Sequence, residues 1–203
     1  METCLIIFTR YPEAGRVKTR LIPALGEEGA ASLHRQMAEH TISQVRALQR
    51  LSPCDLEVWF VGGNLALMQD WLGEDLTYQR QPDGDLGDRM RLAFQSIFDR
   101  GCKRAAIVGT DCPGLTTEIL SQSFDALEDN SIVLGPAIDG GYYLIGLQYS
   151  IPELFIEITW STANVLQDTF KIAEGLGITP TLLPYLADID LPQDLAHLPI
   201  GFD

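Results

Sequence analysis

The amino-acid sequence predicts an α/β protein, a three-layer α/β/α sandwich around a mostly parallel, mixed central sheet. Two observations lead to this fold class. Apolar runs of strand length alternate with amphipathic runs of helix length along the chain, which is typical of parallel sheets covered by helices on both faces. A short turn, Asp139-Gly140-Gly141, joins two strand-like runs directly, and such a turn predicts one antiparallel strand.

The length of the chain fits one domain. With 203 residues, 46% of them hydrophobic, the chain can bury a full core, because a folded chain of this size hides roughly 70% of the surface of its unfolded form. No internal repeat, low-complexity segment or linker interrupts the pattern. We therefore expect a single domain over residues 1–203.

In the first half of the chain, the apolar and partly β-branched run at 4–8 predicts a buried strand. Apolar positions over 27–50 recur at spacings of three and four, which predicts a helix that Pro53 ends. The pattern then predicts a strand at 56–61, a short helix at 65–71 and a strand at 76–80.

In the second half, residues 87–101 match the helical spacing of apolar positions throughout. Thr116 or Thr117 is suited to cap a helix that runs to about Leu127, and Ser161 to cap one that runs to about Gly175. Strands are predicted at 105–109, 131–137, 142–148 and 180–184, followed by a short terminal helix.

Charge and composition exclude several classes of function. The formal net charge is −14, from 28 acidic and 14 basic residues, and such a surface repels phosphate backbones and anionic lipids. Nucleic acid and membranes are therefore not expected as partners. No apolar run reaches the ~20 residues of a membrane span, and the start lacks the basic region of a signal peptide. The sequence predicts a cytoplasmic protein.

The four cysteines and three histidines show no metal-binding pattern. No C-x-x-C pair is present, and no histidine stands at ligand spacing from a cysteine. We expect free, buried thiols and surface histidines.

A basic loop follows the first predicted strand, in the segment FTRYPEAGRVKTRLIPALG at 8–26. Four of the 14 basic residues, Arg10, Arg16, Lys18 and Arg20, lie within it, and their mutual repulsion favours a bound anion. Ligands of open α/β sheets bind at such strand-to-helix crossings. Gly15 allows a tight turn, while the lysine and arginines can reach phosphate oxygens. The alternative is a solvated loop paired with the surplus acid. The spacing is not that of a Walker A loop.

Two acidic segments predict a metal site. Asp111, in IVGTDCPGL, follows a buried strand and is suited to a hard divalent ion that bridges phosphate oxygens; alternatively it caps the next helix. Asp188 and Asp190, in LADIDLPQDL, are two residues apart and face the same side in extended chain. One of them, Asp190 in the leading assignment, can complete the site; alternatively it caps the terminal helix.

Further candidate residues lie in three turns. Asp139 stands beside Gly140 and Gly141, where backbone can approach a ligand closely, so it is suited to orient a sugar or to act as a general base. The alternative is an Asp-Gly turn in which the carboxylate bonds its own backbone. Asp85 lies in a turn that can bind a ligand, and Trp160 is either a ligand contact or part of the core.

Taken in order, these motifs resemble the GT-A-type nucleotide-diphospho-sugar transferase superfamily. Within it, the chain is most similar to small bacterial glycosyltransferases associated with radical-SAM or arsenosugar biosynthesis clusters. The resemblance covers about residues 4–197. The motifs that carry it are YPEAGRVKTRLIPALG, DLGDRM, VGTDCPGL, GPAIDGGYYLIGL, WST and DIDLPQDL.

The resemblance implies a seven-stranded mixed sheet with a nucleotide over the first strand-to-helix loop. It also implies that Asp111 ligates Mg²⁺, that Lys18 and Arg20 contact phosphates, and that Asp190 is a second metal ligand. The chain is similar as well to guanylyltransferases that activate phospholactate or the molybdenum cofactor. Their signature begins with a glycine-rich loop after an Ala-Ala pair, whereas this chain has FTRYPEAGR.

The leading hypothesis is a metal-dependent glycosyltransferase with Mg²⁺ or Mn²⁺, a nucleotide-sugar donor and a small-molecule acceptor. In it Lys18 and Asp139 are catalytic, Asp111 and Asp190 hold the metal, and the substrate-binding residues are Arg10, Gly15, Lys18, Arg20, Asp85, Gly140, Gly141 and Trp160. The alternative is nucleotidyl transfer from a nucleoside triphosphate to a phosphorylated small molecule with release of pyrophosphate. A non-catalytic nucleotide-binding module is the third hypothesis. Monomer and homodimer are both left open.

Overall fold

The structure is a computed structural model that describes residues 2–199 and 201–202. Within them, seven strands form one sheet. The strands are β1 (Thr3–Arg10), β2 (Asp55–Val61), β3 (Thr77–Arg80), β4 (Arg104–Val108), β5 (Ile132–Pro136), β6 (Tyr142–Leu147) and β7 (Thr181–Leu182). They lie in the order β3-β2-β1-β4-β6-β5-β7. All neighbouring pairs are parallel except those of β6, which runs antiparallel to β4 and β5.

Five α-helices connect the strands in the described part of the chain. They are α1 (Ile22–Leu51), α2 (Leu65–Leu72), α3 (Leu86–Asp99), α4 (Thr117–Ala126) and α5 (Val165–Gly175). Short 3₁₀ segments cover Thr19–Leu21, Pro152–Phe155 and Pro192–His197. Helix α1 is interrupted at Gly26, whose φ of +72° lies outside the helical region. The regular part of α1 therefore begins where the sequence predicts a helix, at residue 27.

A hydrophobic core lies on each face of the sheet. Leu5 and Ile7 of β1 point to one side, where they pack with residues of α1, α2 and α4. Ile6 and Phe8 point to the other side, toward α3 and α5. Because successive side chains of a strand alternate between faces, a strand buried on both faces reads as a continuous apolar run, as 4–8 does. The predicted three-layer fold with a mostly parallel, mixed sheet is confirmed.

Three local predictions are corrected. Helix α5 begins at Val165 after Asn164, and Ser161 has a left-handed φ of +62°, so it is not the cap. Strand β7 has only two residues, because the prolines at 180 and 184 have no N–H to donate to a ladder. The terminal helix is a 3₁₀ segment. The cap at Thr116 is confirmed: its hydroxyl accepts a hydrogen bond from the backbone N–H of Ile119 at 3.3 Å.

The cysteines are free thiols, three buried and Cys54 half-buried. Of the histidines, only His197 is exposed, so the prediction of surface histidines is wrong for His34, which is 5% exposed, and for His40, which is half-buried. Both lie on α1, and each bonds a backbone carbonyl, of Arg10 and Leu115 respectively. No helix in the described residues is long and apolar enough to cross a bilayer.

Candidate active site

The candidate site lies at the edge of the sheet where β1, β4 and β5 end. These three strands share one direction, since β4 is parallel to β1 and both β4 and β5 are antiparallel to β6. Their carboxyl ends therefore meet at one edge, which is where open α/β sheets bind ligands. Lys18 follows β1, Asp111 follows β4 and Asp139 follows β5. The C-terminal segment brings Asp190 to the same edge.

Lys18 is at the centre of this site. Its Nζ atom lies 2.9 Å from Asp111 Oδ1 and 3.6 Å from Asp190 Oδ1. Arg20 donates a hydrogen bond from Nη1 to the other oxygen of Asp190, at 2.8 Å. The Lys18 side chain is 4% exposed, whereas that of Asp111 is 52% exposed. The two predicted cations and the two predicted metal ligands thus form one cluster, with the ammonium inside and the carboxylates facing solvent.

The backbone of Lys18 is held in an unusual conformation. Its φ and ψ of +45° and +42° are left-handed, which costs a non-glycine residue about 1 kcal/mol or more. The conformation turns the chain into the 3₁₀ segment, and the N–H of Leu21 bonds the carbonyl of Lys18 at 2.8 Å. This turn carries the ammonium inward while Arg20, two residues on, stays at the surface.

Within the described residues, the ammonium of Lys18 has ion-pair partners but no hydrogen-bond acceptor. The contact with Asp111 is short, at 2.9 Å, but it is an ion pair rather than a hydrogen bond, and Nζ is buried. Leaving the donors of a buried ammonium unused is costly. The site is therefore suited to a ligand that brings further oxygen atoms, as a phosphate does.

Two clefts meet at this cluster and share Lys18, Asp111 and Asp190 as walls. We name them by their remaining charged residues. The acidic cleft, of about 550 Å³, is also lined by Asp139, Asp188, Arg20, Gly141, Trp160 and Thr162. The basic cleft, of about 510 Å³, is also lined by Arg10, Arg16, Arg89, His34, Gln81 and Thr110.

The cations of the basic cleft are only partly neutralised. Arg10 makes no ion pair within the described residues, and Arg89 donates from Nε to the carbonyl of Gly84 at 3.0 Å. Arg16 pairs with Glu13 at 3.2 Å, and both side chains are at least half exposed, so water screens this pair. The three guanidinium groups can therefore bind an anion in this cleft.

Asp139 and Asp188 lie in the acidic cleft. Asp139 accepts a hydrogen bond from the N–H of Gly141 at 2.8 Å, which is the local turn considered as its alternative role, yet the residue also lines the cleft. Burial, and next the negative charge of Asp139, raises the pKa of Asp188 to about 6. The backbone N–H of Ile189 bonds the carbonyl of Asp111 at 2.9 Å and fixes the segment. Asp190 then meets Lys18, whereas Asp188 lines only the acidic cleft.

Three predicted ligand residues do not line either cleft. Asp85 caps α3 and accepts a hydrogen bond from the N–H of Asp88 at 2.8 Å. Gly15 has a φ of +75° and faces Glu27. Gly140 has a φ of +92°, and a Cβ there would clash with the carbonyl of Ala163. All three are needed for backbone geometry, which is why the sequence marks them.

Trp160 is placed in the acidic cleft by its packing. The indole lies against Gly87, where a Cβ would clash with it, and edge-on to Tyr142 at a ring-centroid distance of 6.4 Å. Gly87 belongs to the first turn of α3 and Tyr142 begins β6. The ring is thus held between two regular elements, packs partly against the core of that face and also lines the cleft.

His34, Arg89 and Gln81 of the basic cleft are absent from the sequence prediction. His34 Nε2 donates to the carbonyl of Arg10 at 2.9 Å, and its Nδ1 is buried without a partner in the described residues. Burial lowers the pKa of His34, so the ring is neutral near pH 7. Gln81 Nε2 donates to the carbonyl of Trp59 at 2.9 Å. No spacing signal marks these residues, since each comes from a separate element.

The described residues contain no group of three or more histidine, cysteine or acidic side chains placed to hold a metal ion. They do fit a metal ion that arrives with a nucleotide. Mg²⁺ keeps several waters and is usually held by one or two carboxylates together with substrate phosphates. Asp111 and Asp190 supply two, each with an oxygen within 3.6 Å of the same nitrogen.

The family model described as "Uncharacterized protein conserved in bacteria (DUF2064)" matches residues 44–162, more than half of the chain. The chain belongs to the DUF2064 family. The matched segment contains Asp111, Asp139 and Trp160, while Lys18 and Asp190 lie outside it. A search of curated proteins finds no match.

Solved structures extend the comparison beyond the DUF2064 segment. A protein from Desulfovibrio desulfuricans G20, provisionally described as a nucleotide-diphospho-sugar transferase, is 34% identical; the likeness covers 96% of this chain and 85% of that chain, with a TM-score of 0.89. CMP:2-keto-3-deoxy-manno-octonic acid synthetase complexed with CTP is 12% identical, over 97% and 96% of the two chains, with a TM-score of 0.58. Rv0371C in complex with manganese, from Mycobacterium tuberculosis H37Rv, is 12% identical, over 97% of each chain, with a TM-score of 0.55. At such low identity the last two show a shared fold alone.

Proposed function

We propose that this DUF2064 protein is a metal-dependent transferase that takes a group from a nucleotide, and specifically a glycosyltransferase with a nucleotide-diphospho-sugar donor and a small-molecule acceptor. The observation that carries the proposal is the Lys18 ammonium, buried between Asp111 and Asp190 where two clefts of opposite character meet. The relative from Desulfovibrio desulfuricans, provisionally described as a nucleotide-diphospho-sugar transferase, supports nucleotide-dependent transfer.

The nucleotide lies in the basic cleft, with its phosphates toward Lys18. Arg10, Arg16 and Arg89 line this cleft, and apart from the shared walls it contains no carboxylate among the described residues. Arginine binds phosphate through paired N–H donors in a fixed fork. Lys18 Nζ, which has no hydrogen-bond acceptor in the described part of the chain, gives its donors to oxygens of the phosphate nearest the cluster.

Asp111 and Asp190, together with phosphate oxygens of the nucleotide, would hold the metal ion, Mg²⁺ or Mn²⁺. Both carboxylates are substantially exposed, at 52% and 36%, so they can exchange water for a ligand. When bound, the ion neutralises charge on the departing diphosphate. Lys18 and Arg20 stabilise the same charge from the protein side, and a donor placed in this way typically contributes about 3 kcal/mol to the transition state.

The transferred sugar and the acceptor lie in the acidic cleft. An acceptor hydroxyl oxygen forms a bond to the anomeric carbon, while the bond from that carbon to the phosphate oxygen breaks and its electron pair leaves with the nucleoside diphosphate. Asp139 orients the hydroxyl and takes its proton. The N–H of Gly141, at 2.8 Å from one carboxylate oxygen, fixes the carboxylate and leaves the second oxygen for the acceptor.

The second candidate function is nucleotidyl transfer, in which an acceptor phosphate attacks the α-phosphorus of a nucleoside triphosphate and pyrophosphate leaves. The number of cations around the basic cleft favours it, because Arg10, Arg16, Arg89 and Lys18 suit a triphosphate as well as a diphosphate. The CTP complex of CMP:2-keto-3-deoxy-manno-octonic acid synthetase shares the fold.

Product analysis separates the two reactions. The protein is incubated with Mg²⁺, a mixture of sugars and sugar phosphates, and either nucleotide sugars or nucleoside triphosphates, and the released product is identified by mass spectrometry. Free nucleoside diphosphate formed from a nucleotide sugar supports glycosyl transfer. Pyrophosphate supports nucleotidyl transfer. Tight binding of nucleotide with neither product favours the non-catalytic module. Asp111→Asn serves as the matched control and is expected to form neither product.

Four broader predictions stay predictions. Residues 1–203 form one domain, the protein works in the cytoplasm, nucleic acid and membranes are not its partners, and the chain is similar to glycosyltransferases associated with radical-SAM or arsenosugar biosynthesis clusters. Its assembly as monomer or homodimer is open. Sedimentation of the purified protein with and without nucleotide measures the oligomeric state.

A further inference from the structure

The two clefts differ sharply in charge once their shared walls are set aside. The basic cleft then has three arginines and no carboxylate among the described residues. The acidic cleft then has Asp139 and Asp188, and Arg20 is its one basic side chain among the described residues. Lys18, whose side chain is 4% exposed and whose ammonium has no hydrogen-bond acceptor among the described residues, lines both clefts. It marks the point where a ligand must cross from one to the other.

The negative charge of the acidic cleft is not neutralised by the protein. Neither Asp139 nor Asp188 makes an ion pair within residues 2–199 and 201–202. Arg20 is engaged by Asp190 at 2.8 Å and Lys18 by Asp111 at 2.9 Å. An anionic group placed beside two unpaired carboxylates is repelled, and like-charge contacts of this kind are a common device for rejecting wrong ligands.

The uncharged part of the acidic cleft suits a sugar-like molecule. Trp160 presents one side of its indole, held in place by Gly87 and Tyr142, and aromatic faces pack against apolar surfaces such as the C–H face of a sugar ring. Ionised carboxylates accept hydrogen bonds but donate none, so Asp139 and Asp188 select hydroxyl or ammonium groups.

We propose that the acceptor of this enzyme is an uncharged or cationic polyhydroxyl compound, a sugar, polyol or amino sugar, and that Asp139 and Asp188 exclude phosphorylated acceptors. This inference rests on the proposed function, because it assigns the acidic cleft to the acceptor. It deepens that function by naming the acceptor's chemical class. It also disfavours nucleotidyl transfer to an acceptor phosphate.

The test compares three probes that share one ring: glucose, glucosamine and glucose 6-phosphate. Their affinities are measured without nucleotide by saturation-transfer difference NMR at pH 8, for the wild type and for Asp139→Asn/Asp188→Asn. The control variant, Asp125→Asn/Asp129→Asn, makes the same change of net charge at exposed positions away from both clefts. It separates a local effect of the cleft from the overall charge of the protein.

In the wild type and the control, glucose 6-phosphate is expected to bind roughly tenfold or more weakly than glucose, and glucosamine at least as tightly as glucose. In Asp139→Asn/Asp188→Asn the affinities for glucose and for glucose 6-phosphate are expected to differ by about twofold or less. Equal or tighter binding of glucose 6-phosphate by the wild type overturns the proposal. So does a wild type that binds none of the three.

The proposed function has a separate readout in calorimetry with Mg²⁺ and uridine diphosphate. Failure of nucleotide binding alongside selective sugar binding counts against the nucleotide-dependent activity and leaves the charge selectivity intact. Nucleotide binding without charge selectivity overturns only the acceptor class. Trp160→Ala is expected to lower the affinity for all three probes alike, since all three present the same ring to the indole. An unchanged affinity overturns the role of the indole.

Discussion

Replacing Lys18 by methionine is expected to change metal and nucleotide binding in opposite directions. Methionine has a similar length and no charge, so the change removes the ammonium while largely filling its space. The ammonium contacts both carboxylates that we propose as metal ligands, at 2.9 Å and 3.6 Å. A divalent ion bound by Asp111 and Asp190 must therefore share these carboxylates with a positive charge, and in Lys18→Met it no longer does.

The size of the effect follows from the distances and the exposure. An ion of charge two and an ammonium about 4 Å apart repel by about 2 kcal/mol in a water-like dielectric. That dielectric is the appropriate one, because the Asp111 side chain is 52% exposed and water screens the contact. The repulsion falls toward about 1 kcal/mol if the ammonium moves aside. Lys18→Met is thus expected to bind Mn²⁺ alone about five- to thirtyfold more tightly.

The affinity for the nucleotide is expected to fall in the same variant. A hydrogen bond from an ammonium to a phosphate contributes about 1.5–3 kcal/mol, so Lys18→Met is expected to weaken nucleoside diphosphate binding about ten- to hundredfold. Free Mn²⁺ is measured by electron paramagnetic resonance, and nucleotide binding by calorimetry with Mg²⁺. Lys171→Met, which removes an exposed lysine paired with Asp168, is the control and leaves both affinities unchanged. An Mn²⁺ affinity that stays the same or falls in Lys18→Met refutes the reasoning.

Three further predictions concern the same edge of the sheet. Asp111→Asn is expected to lose metal-dependent nucleotide binding while its circular dichroism stays that of the wild type; retained binding contradicts the assignment. Gly140→Ala forces a side chain into a left-handed φ of +92° against the carbonyl of Ala163, so it should lower the free energy of unfolding by about 2 kcal/mol or more, and a change near zero in urea unfolding contradicts this. Asp188 has a folded pKa of about 6 against 3.8 for the ordinary group, raised first by burial. The folded state therefore holds the proton longer, and stability falls as pH rises from about 4 to about 6. Because the group is only half-buried, the cost at pH 8 is discounted to about 1 kcal/mol. Asp188→Asn should raise the melting temperature at pH 8 but not at pH 4 in metal-free buffer, and an equal effect at both contradicts the shifted pKa.

Much of the fold and the centre of the site follow from local sequence patterns. The carboxyl ends of β1 and β4 fall at one edge because both strands are buried, parallel and joined by helices. A polar residue in the loop after such a strand can therefore lie at the same edge as the others, which is how Lys18 and Asp111 are predicted together. The turn at Asp139 predicts the antiparallel strand β6 because only a short connection separates it from β5.

The division of the site into two clefts depends on contacts that no local pattern shows. His34 comes from the middle of α1 and Gln81 from the loop after β3, and each meets the site only through tertiary packing. The spacing of Asp188 and Asp190 predicts a shared side, and both line the acidic cleft, but only tertiary packing brings Asp190 against Lys18. Asp85, predicted as a ligand residue, caps α3, and a capping residue and a ligand residue have the same signature before a helix.

The central claim is that a metal ion with a nucleotide's phosphates sits at the Lys18 cluster. Crystals grown with Mn²⁺ and a nucleoside diphosphate, measured at a wavelength where manganese scatters anomalously, locate the ion directly. We expect a peak at direct coordination distance, about 2.1 Å for an ion of this kind, from carboxylate oxygens of Asp111 and Asp190, with the phosphates extending toward Arg10 and Arg89. A peak elsewhere, or a nucleotide bound away from both clefts, contradicts the account.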